Sequence, residues 1–92
     1  MTALRDGVLA LLTALDPEGL RPGKPNGTPA DEYMLEADPI AAIASWNGAI
    51  TAREVDEIWD KWFGETLTEM VNVPAMEKFV ADVNALATAA RE

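Results

Sequence analysis

Residues 51–64 read TAREVDEIWDKWFG, and both ends of a helix are marked within this segment. Thr51 and Glu54 fit a capping box, in which each side chain accepts a hydrogen bond from a free backbone amide of the first turn. Apolar side chains then recur at the spacing of one helix face, at Val55, Ile58, Trp59, Trp62 and Phe63. Gly64 is a typical helix end. The segment therefore predicts an amphipathic helix that buries one face.

Three other segments show the same helical period, and none shows the alternation of a strand. They are residues 2–15, 39–46 and 74–90. Pro39 fits the first helical position, where proline costs no hydrogen bond, and Asp38 fits the N-cap before it. Residues 65–70 are interpreted as a further turn of the helix that precedes them. The prediction is a single all-α domain, residues 1–92, of four helices arranged as a bundle or an orthogonal array.

Residues 16–30 are predicted to be a loop, because they hold four prolines and three glycines. A loop of this length is either a tolerated surface connection or a functional segment, and both interpretations stay open. The tryptophans are predicted to belong to the core, with Trp46 the most exposed of them. The full predicted core is Val8, Leu11, Leu12, Leu15, Ile40, Ile43, Val55, Ile58, Trp59, Trp62, Phe63, Phe79, Val80 and Val83.

The composition removes several classes of chemistry. The chain has no cysteine and no histidine, which excludes disulfides, thiolate metal sites, Ser-His-Asp or Cys-His catalysis, and histidine-bound zinc. Sixteen acids against seven bases give a net charge of −9, which disfavours nucleic acid and anionic membranes as partners. No apolar run approaches the roughly 20 residues that span a bilayer. A soluble cytoplasmic protein without a cofactor is expected.

The negative charge is concentrated in the middle of the chain. Residues 31–69 hold ten acids and two bases, which is −8 of the net −9. Such a segment is interpreted either as a solvated surface or as a patch that attracts a basic partner. A hard-cation site is a third interpretation, but the spacing does not fit an EF-hand loop. The residues predicted to bind a partner are Asp31, Glu32, Tyr33, Glu36, Glu57 and Asp60.

The last helix carries small residues opposite its apolar stripe. A homodimer through Ala81, Ala85 and Ala89 is one hypothesis, because small side chains let helices approach closely. The alternative is that alanine serves only as the best helix former. Both interpretations predict that this face points away from the core.

Three short motifs stand in order along the chain: DPEGL at residues 16–20, PADEY at residues 29–33 and WFGE at residues 62–65. In order and approximate spacing they resemble the YugE-like family of small bacterial proteins. The resemblance implies an all-helical fold of about this length and no established activity. The chain departs from the family at Met34, where the family usually has an aspartate, and in a longer loop over residues 21–28. The missing acid argues against a cation site in this segment.

The second motif also has a structural interpretation. Tyr33 would pack its ring and hydrogen-bond its hydroxyl, while Asp31 would cap a turn. No catalytic residue is predicted, and the leading hypothesis is a non-catalytic binding module for a basic protein, of the kind an immunity-type antagonist provides. The second hypothesis is a self-associating structural protein with no separate ligand. The third is a metal-dependent enzyme that uses carboxylates alone.

Overall fold

The computed structural model describes residues 2–17, 19, 27 and 33–91. Within these residues the chain forms five helices and no strand, so the predicted all-α class is confirmed. The helices are α1 (Thr2–Leu15), α2 (Met34–Asn47), α3 (Ala52–Phe63), α4 (Leu67–Val71) and α5 (Val73–Arg91). Helix α5 contacts all four other helices, and α2 contacts α1, α3 and α5.

The capping box at the start of α3 forms as predicted. The Glu54 amide donates to Thr51 Oγ1 at 3.2 Å, and the Thr51 amide donates to Glu54 Oε1 at 3.0 Å. The helix ends at Gly64, which adopts the left-handed conformation with φ 74°. A non-glycine residue would be strained in this conformation, so glycine is favoured at the position that ends the helix.

The predicted start of α2 at Pro39, with Asp38 as N-cap, is wrong. The helix begins at Met34, and Pro39 lies inside it. Proline removes the amide that would donate to the carbonyl of Leu35, which is an exposed residue that water can solvate. The turn before Pro39 contributes Tyr33 and Ala37 to the core, and this burial outweighs the one missing hydrogen bond.

The sequence suggested that residues 65–70 add a further turn to α3. Instead, a separate helix, α4, begins within this segment. Thr66 and Glu69 make a second capping box at the start of α4. The helix is fastened to α3 by Thr68, whose amide and hydroxyl both donate to the Asp56 carboxylate at 2.8 to 3.0 Å. The sequence Thr66-Leu67-Thr68-Glu69 repeats the signal of Thr51–Glu54, so the missed helix was marked in the same way.

The core is largely where the periodicity places it. Seven of the predicted core residues are buried: Val8, Leu12, Ile40, Val55, Trp59, Phe79 and Val83. Five more are partly buried against them: Leu11, Leu15, Ile43, Ile58 and Val80. The prediction is wrong for Trp62 and Phe63, whose side chains are 48% and 37% exposed at the end of α3. Both lie in the last turn of α3, directly before Gly64.

Two connections tie the helices together. The Asn84 side chain on α5 accepts from the amide of Ile50 at 2.8 Å and donates to its carbonyl at 3.0 Å. This fixes the link between α2 and α3 against α5. Asn72 separates α4 from α5, and its side chain accepts from the Ala75 amide at 2.8 Å, which caps α5.

Candidate functional site

The residues predicted to bind a partner lie in three different places. Asp31 and Glu32 fall outside the described residues, as does most of the loop over residues 16–30. Tyr33 and Glu36 are buried. Glu57 and Asp60 are exposed on the outer side of α3. The set therefore does not form one surface among the residues that the structure describes.

Tyr33 has a structural position in the interior. Its ring stacks on Trp59 with centroids 6.0 Å apart, and Trp59 in turn contacts Phe63 at 4.8 Å. Its hydroxyl donates to Asp16 Oδ1 at 2.7 Å. Tyr33 thus joins the first two motifs of the sequence, because Asp16 opens one and Tyr33 closes the other.

Glu36 is one turn of α2 away from Tyr33 and is only 4% exposed. A carboxylate at this depth cannot contact a partner from solution without exposing the core around it. The prediction that Tyr33 and Glu36 bind a partner directly is therefore at odds with their burial. Their side chains contribute to the interior that orients α2.

The exposed part of the predicted set forms a strip along α3. Glu57, Asp60 and Phe63 are three residues apart, which makes each the neighbour of the next on the helix surface. We call these three residues the α3 strip. It places a partly exposed aromatic ring beside two carboxylates, a combination that suits a cationic and partly apolar surface. Phe63 was missed as a surface residue because its apolar spacing matched the core face.

The two carboxylates of the strip differ in their local pairing. Glu57 Oε1 lies 3.4 Å from Arg53 Nε, so its charge is offset by a neighbour one turn earlier. The Lys61 ammonium lies over the Trp62 ring, 5.9 Å from its centroid. Among the described residues, no basic side chain forms an ion pair with Asp60. Asp60 is therefore the carboxylate of the strip most open to an incoming cation.

Other carboxylates of this region are engaged in the fold. Asp56 accepts the hydrogen bonds of Thr68. Glu69 caps α4, and hydrogen bonds from the backbone amide and then the hydroxyl of Thr66 lower the pKa of the Glu69 carboxyl below its ordinary value. These hydrogen bonds connect α4 to α3 and cap α4. Within the described part of the chain, no three acidic side chains converge to hold a metal ion.

Two tryptophans of the predicted core lie at the surface. Trp46, near the end of α2, is 86% exposed, and Trp62 is about half exposed. The expectation that Trp46 is the most exposed of the three is confirmed. The assignment of Trp46 and Trp62 to the core is wrong, since both side chains are exposed. Large exposed aromatic rings are more typical of contact surfaces than of a bare monomer.

The last helix presents the small residues to solvent, as predicted. Ala81, Ala85 and Ala89 are all exposed on α5. Ala85 lines a groove between α1 and α5 together with Gly7 and Ala10. Of the helices in the described ranges, none has the length and apolar character needed to cross a membrane.

Comparison with known proteins adds no relative to this description. No family model matches the chain, and no curated protein or solved structure matches it either. The resemblance to the YugE-like family therefore stays a prediction that rests on the three motifs. The geometry of the α3 strip is the basis on which a function can be proposed.

Proposed function

We propose that this protein is a non-catalytic binding module that holds a basic protein partner on the α3 strip. The observation that supports this most directly is the position of Phe63, partly exposed three residues after the unpaired carboxylate of Asp60. Aromatic anchors are enriched among binding hot spots, and a neighbouring carboxylate adds complementarity to a basic partner. The surrounding charge favours the same class of partner.

The charge of the α3–α4 region extends the attraction beyond the strip. Residues 51–71 carry six carboxylates and two basic side chains. A basic partner would be steered to this region at long range and then oriented by the strip at contact. This is the arrangement expected of an antagonist that covers a cationic surface, such as an immunity-type protein.

The test is affinity capture from the lysate of the host, read by quantitative mass spectrometry. The baits are the wild type and two single charge reversals, Asp60→Lys on α3 and Glu77→Lys on α5. Both positions are exposed and both variants change the net charge equally. We expect one stoichiometric partner of basic composition, captured by the wild type and by Glu77→Lys but lost with Asp60→Lys.

The salt dependence gives a second readout of the same interaction. Raising the salt from roughly 0.01 M to 0.15 M shortens the Debye length from about 30 Å to about 8 Å, so capture should weaken. Circular dichroism verifies that both variants fold. Equal capture by Asp60→Lys and Glu77→Lys, or no stoichiometric partner at either salt, would count against the proposal.

A further inference from the structure

A shallow groove runs along the surface between α1 and α5. It consists of two adjoining cavities of about 250 Å³ and about 510 Å³, and Leu11 and Asp82 line both. The two helices are in close contact beneath it, since a Cβ on Gly7 would lie 2.9 Å from Leu86 Cδ1. The groove is therefore a feature of a tightly packed helix pair, with a largely apolar floor.

Small side chains form the edges of this groove. On α1 the exposed residues Ala10 and Ala14 line it, and on α5 the exposed residue Ala85 does so. Side chains of this size allow another helix to pack with its axis at the short end of the usual 8–10 Å range. The shape of the face therefore fits a helical surface better than a small molecule.

The charge on this face selects which helical surface can occupy it. Residues 2–15 carry one base and one acid, and residues 73–91 carry two of each, so both helices are neutral on a chain of net charge −9. In the groove itself Lys78 Nζ lies 2.8 Å from Asp82 Oδ2. A strongly basic partner gains little at a neutral face, whereas a second copy of this acidic chain can approach there with least repulsion.

We propose that the α1–α5 face docks a second copy of the chain in a two-fold symmetric pair. A two-fold axis brings the same surface of each copy together, and the Lys78–Asp82 ion pair within each copy adds no net charge to that surface. The resulting core would be a four-helix arrangement of α1 and α5 from both copies. This pair uses a different face from the α3 strip and goes beyond the proposed function.

The size of the face sets the expected strength of the pair. At 1.5 Å per residue, the 14 residues of α1 and the 19 residues of α5 span about 21 Å and about 28 Å. A face of this length and two helices wide buries on the order of 1,000 Å² in total when two copies meet, near the lower limit for a specific interface. We therefore expect a reversible dimer that dissociates on dilution.

Sedimentation equilibrium of the purified full chain, over roughly 1 µM to 1 mM, tests the proposal. The variants are Ala85→Glu in the groove and Ala42→Glu on α2, which are the same substitution at two exposed alanines. We expect the wild type and Ala42→Glu to dimerise alike. With Ala85→Glu the dissociation constant should rise at least about tenfold, because each copy would then bury a carboxylate in a largely apolar face. Ala10→Glu on α1 should act in the same way as Ala85→Glu.

Salt distinguishes this pair from the proposed basic partner. Two chains of charge −9 repel each other, so screening should strengthen the dimer while it weakens a complex with a basic protein. A wild type that stays monomeric at every concentration and salt overturns the proposal, and so does a dimer that Ala85→Glu and Ala10→Glu leave intact. Neither result bears on capture of a partner by the α3 strip.

Discussion

The Tyr33 side chain connects two segments that lie far apart in the sequence. Its hydroxyl reaches Asp16, which follows directly after α1 and lies 17 positions earlier in the sequence. Asp16 has φ 44°, a left-handed conformation that turns the chain sharply at the end of the helix. The hydrogen bond holds the end of α1 against the start of α2.

Removing this hydrogen bond should destabilise the fold measurably. For Tyr33→Phe we expect the free energy of unfolding to fall by about 1.5–3 kcal/mol, the range for a hydrogen bond to a charged acceptor. Asp16→Asn is the matched control, because asparagine keeps an acceptor and tolerates the same backbone conformation. Chemical denaturation measures both. A Tyr33→Phe protein as stable as the wild type would show that the bond contributes nothing.

Glu69 should make the stability of α4 depend on pH. Its folded pKa is lowered by the amide and hydroxyl of Thr66, so the ionised form stabilises the fold at pH above the unfolded value, roughly 4.3. That contribution is lost as the pH falls through the folded pKa. Titration of the Glu69 side chain by NMR should give a pKa below its ordinary value.

The same linkage predicts how a neutral replacement behaves. Glu69→Gln keeps an acceptor for the capping box but loses the charge. The stability difference between wild type and Glu69→Gln should be present at neutral pH and disappear in acid. If this stability difference persists unchanged below the folded pKa of Glu69, the charge of Glu69 is not its cause.

At the scale of elements, α2 is the helix whose local signals and tertiary packing disagree. Its residues are apolar on nearly every side, as expected of a central helix. Asp38, expected to cap a helix, instead lies within it and faces Arg5 of α1, with Oδ1 3.6 Å from Nε. The contacts of α2 with three other helices hold a conformation that Pro39 opposes.

Replacing that proline should therefore stabilise the protein. Proline in a helix interior costs about 3 kcal/mol relative to alanine, and part of the gain is offset because alanine leaves the unfolded chain freer, by about 0.4–1 kcal/mol. We expect Pro39→Ala to raise the free energy of unfolding by about 1–2 kcal/mol. Pro74→Ala is the control, since Pro74 lies in the first turn of α5, where no amide bond is lost. Equal effects of the two variants in thermal and chemical denaturation would contradict this account.

At the scale of the whole molecule, two sides of the surface differ in charge and shape. The α3–α4 side is acidic and carries an exposed aromatic ring, whereas the α1–α5 side is neutral and grooved. Salt should therefore act in opposite directions on the two proposed associations, weakening the complex with a basic protein and strengthening the pair of identical chains. Both associations should therefore be measured at low and at high ionic strength, because conditions that favour one disfavour the other.

Local signals in the sequence were sufficient for most helix ends. The capping box at Thr51, the stop at Gly64 and the end of α1 near Asp16 all depend on residues within one turn of each other. The same kind of signal was present at Thr66, so α4 could have been predicted too. The all-α class follows from these ends and from the period of the apolar residues, since both are local properties of the chain.

The candidate site depended on information that no local pattern contains. Apolar spacing places Trp59 and Phe63 on one face of α3, but only the packed structure shows that the first is buried and the second partly exposed. In the same way, the sequence places Tyr33 and Glu36 in an acidic segment. Both are buried in the structure, because α2 begins before Pro39 and packs this segment against the core. Burial depends on which other helix covers a residue. That is decided by contacts between residues far apart in the sequence, whereas capping and periodicity are decided by neighbours.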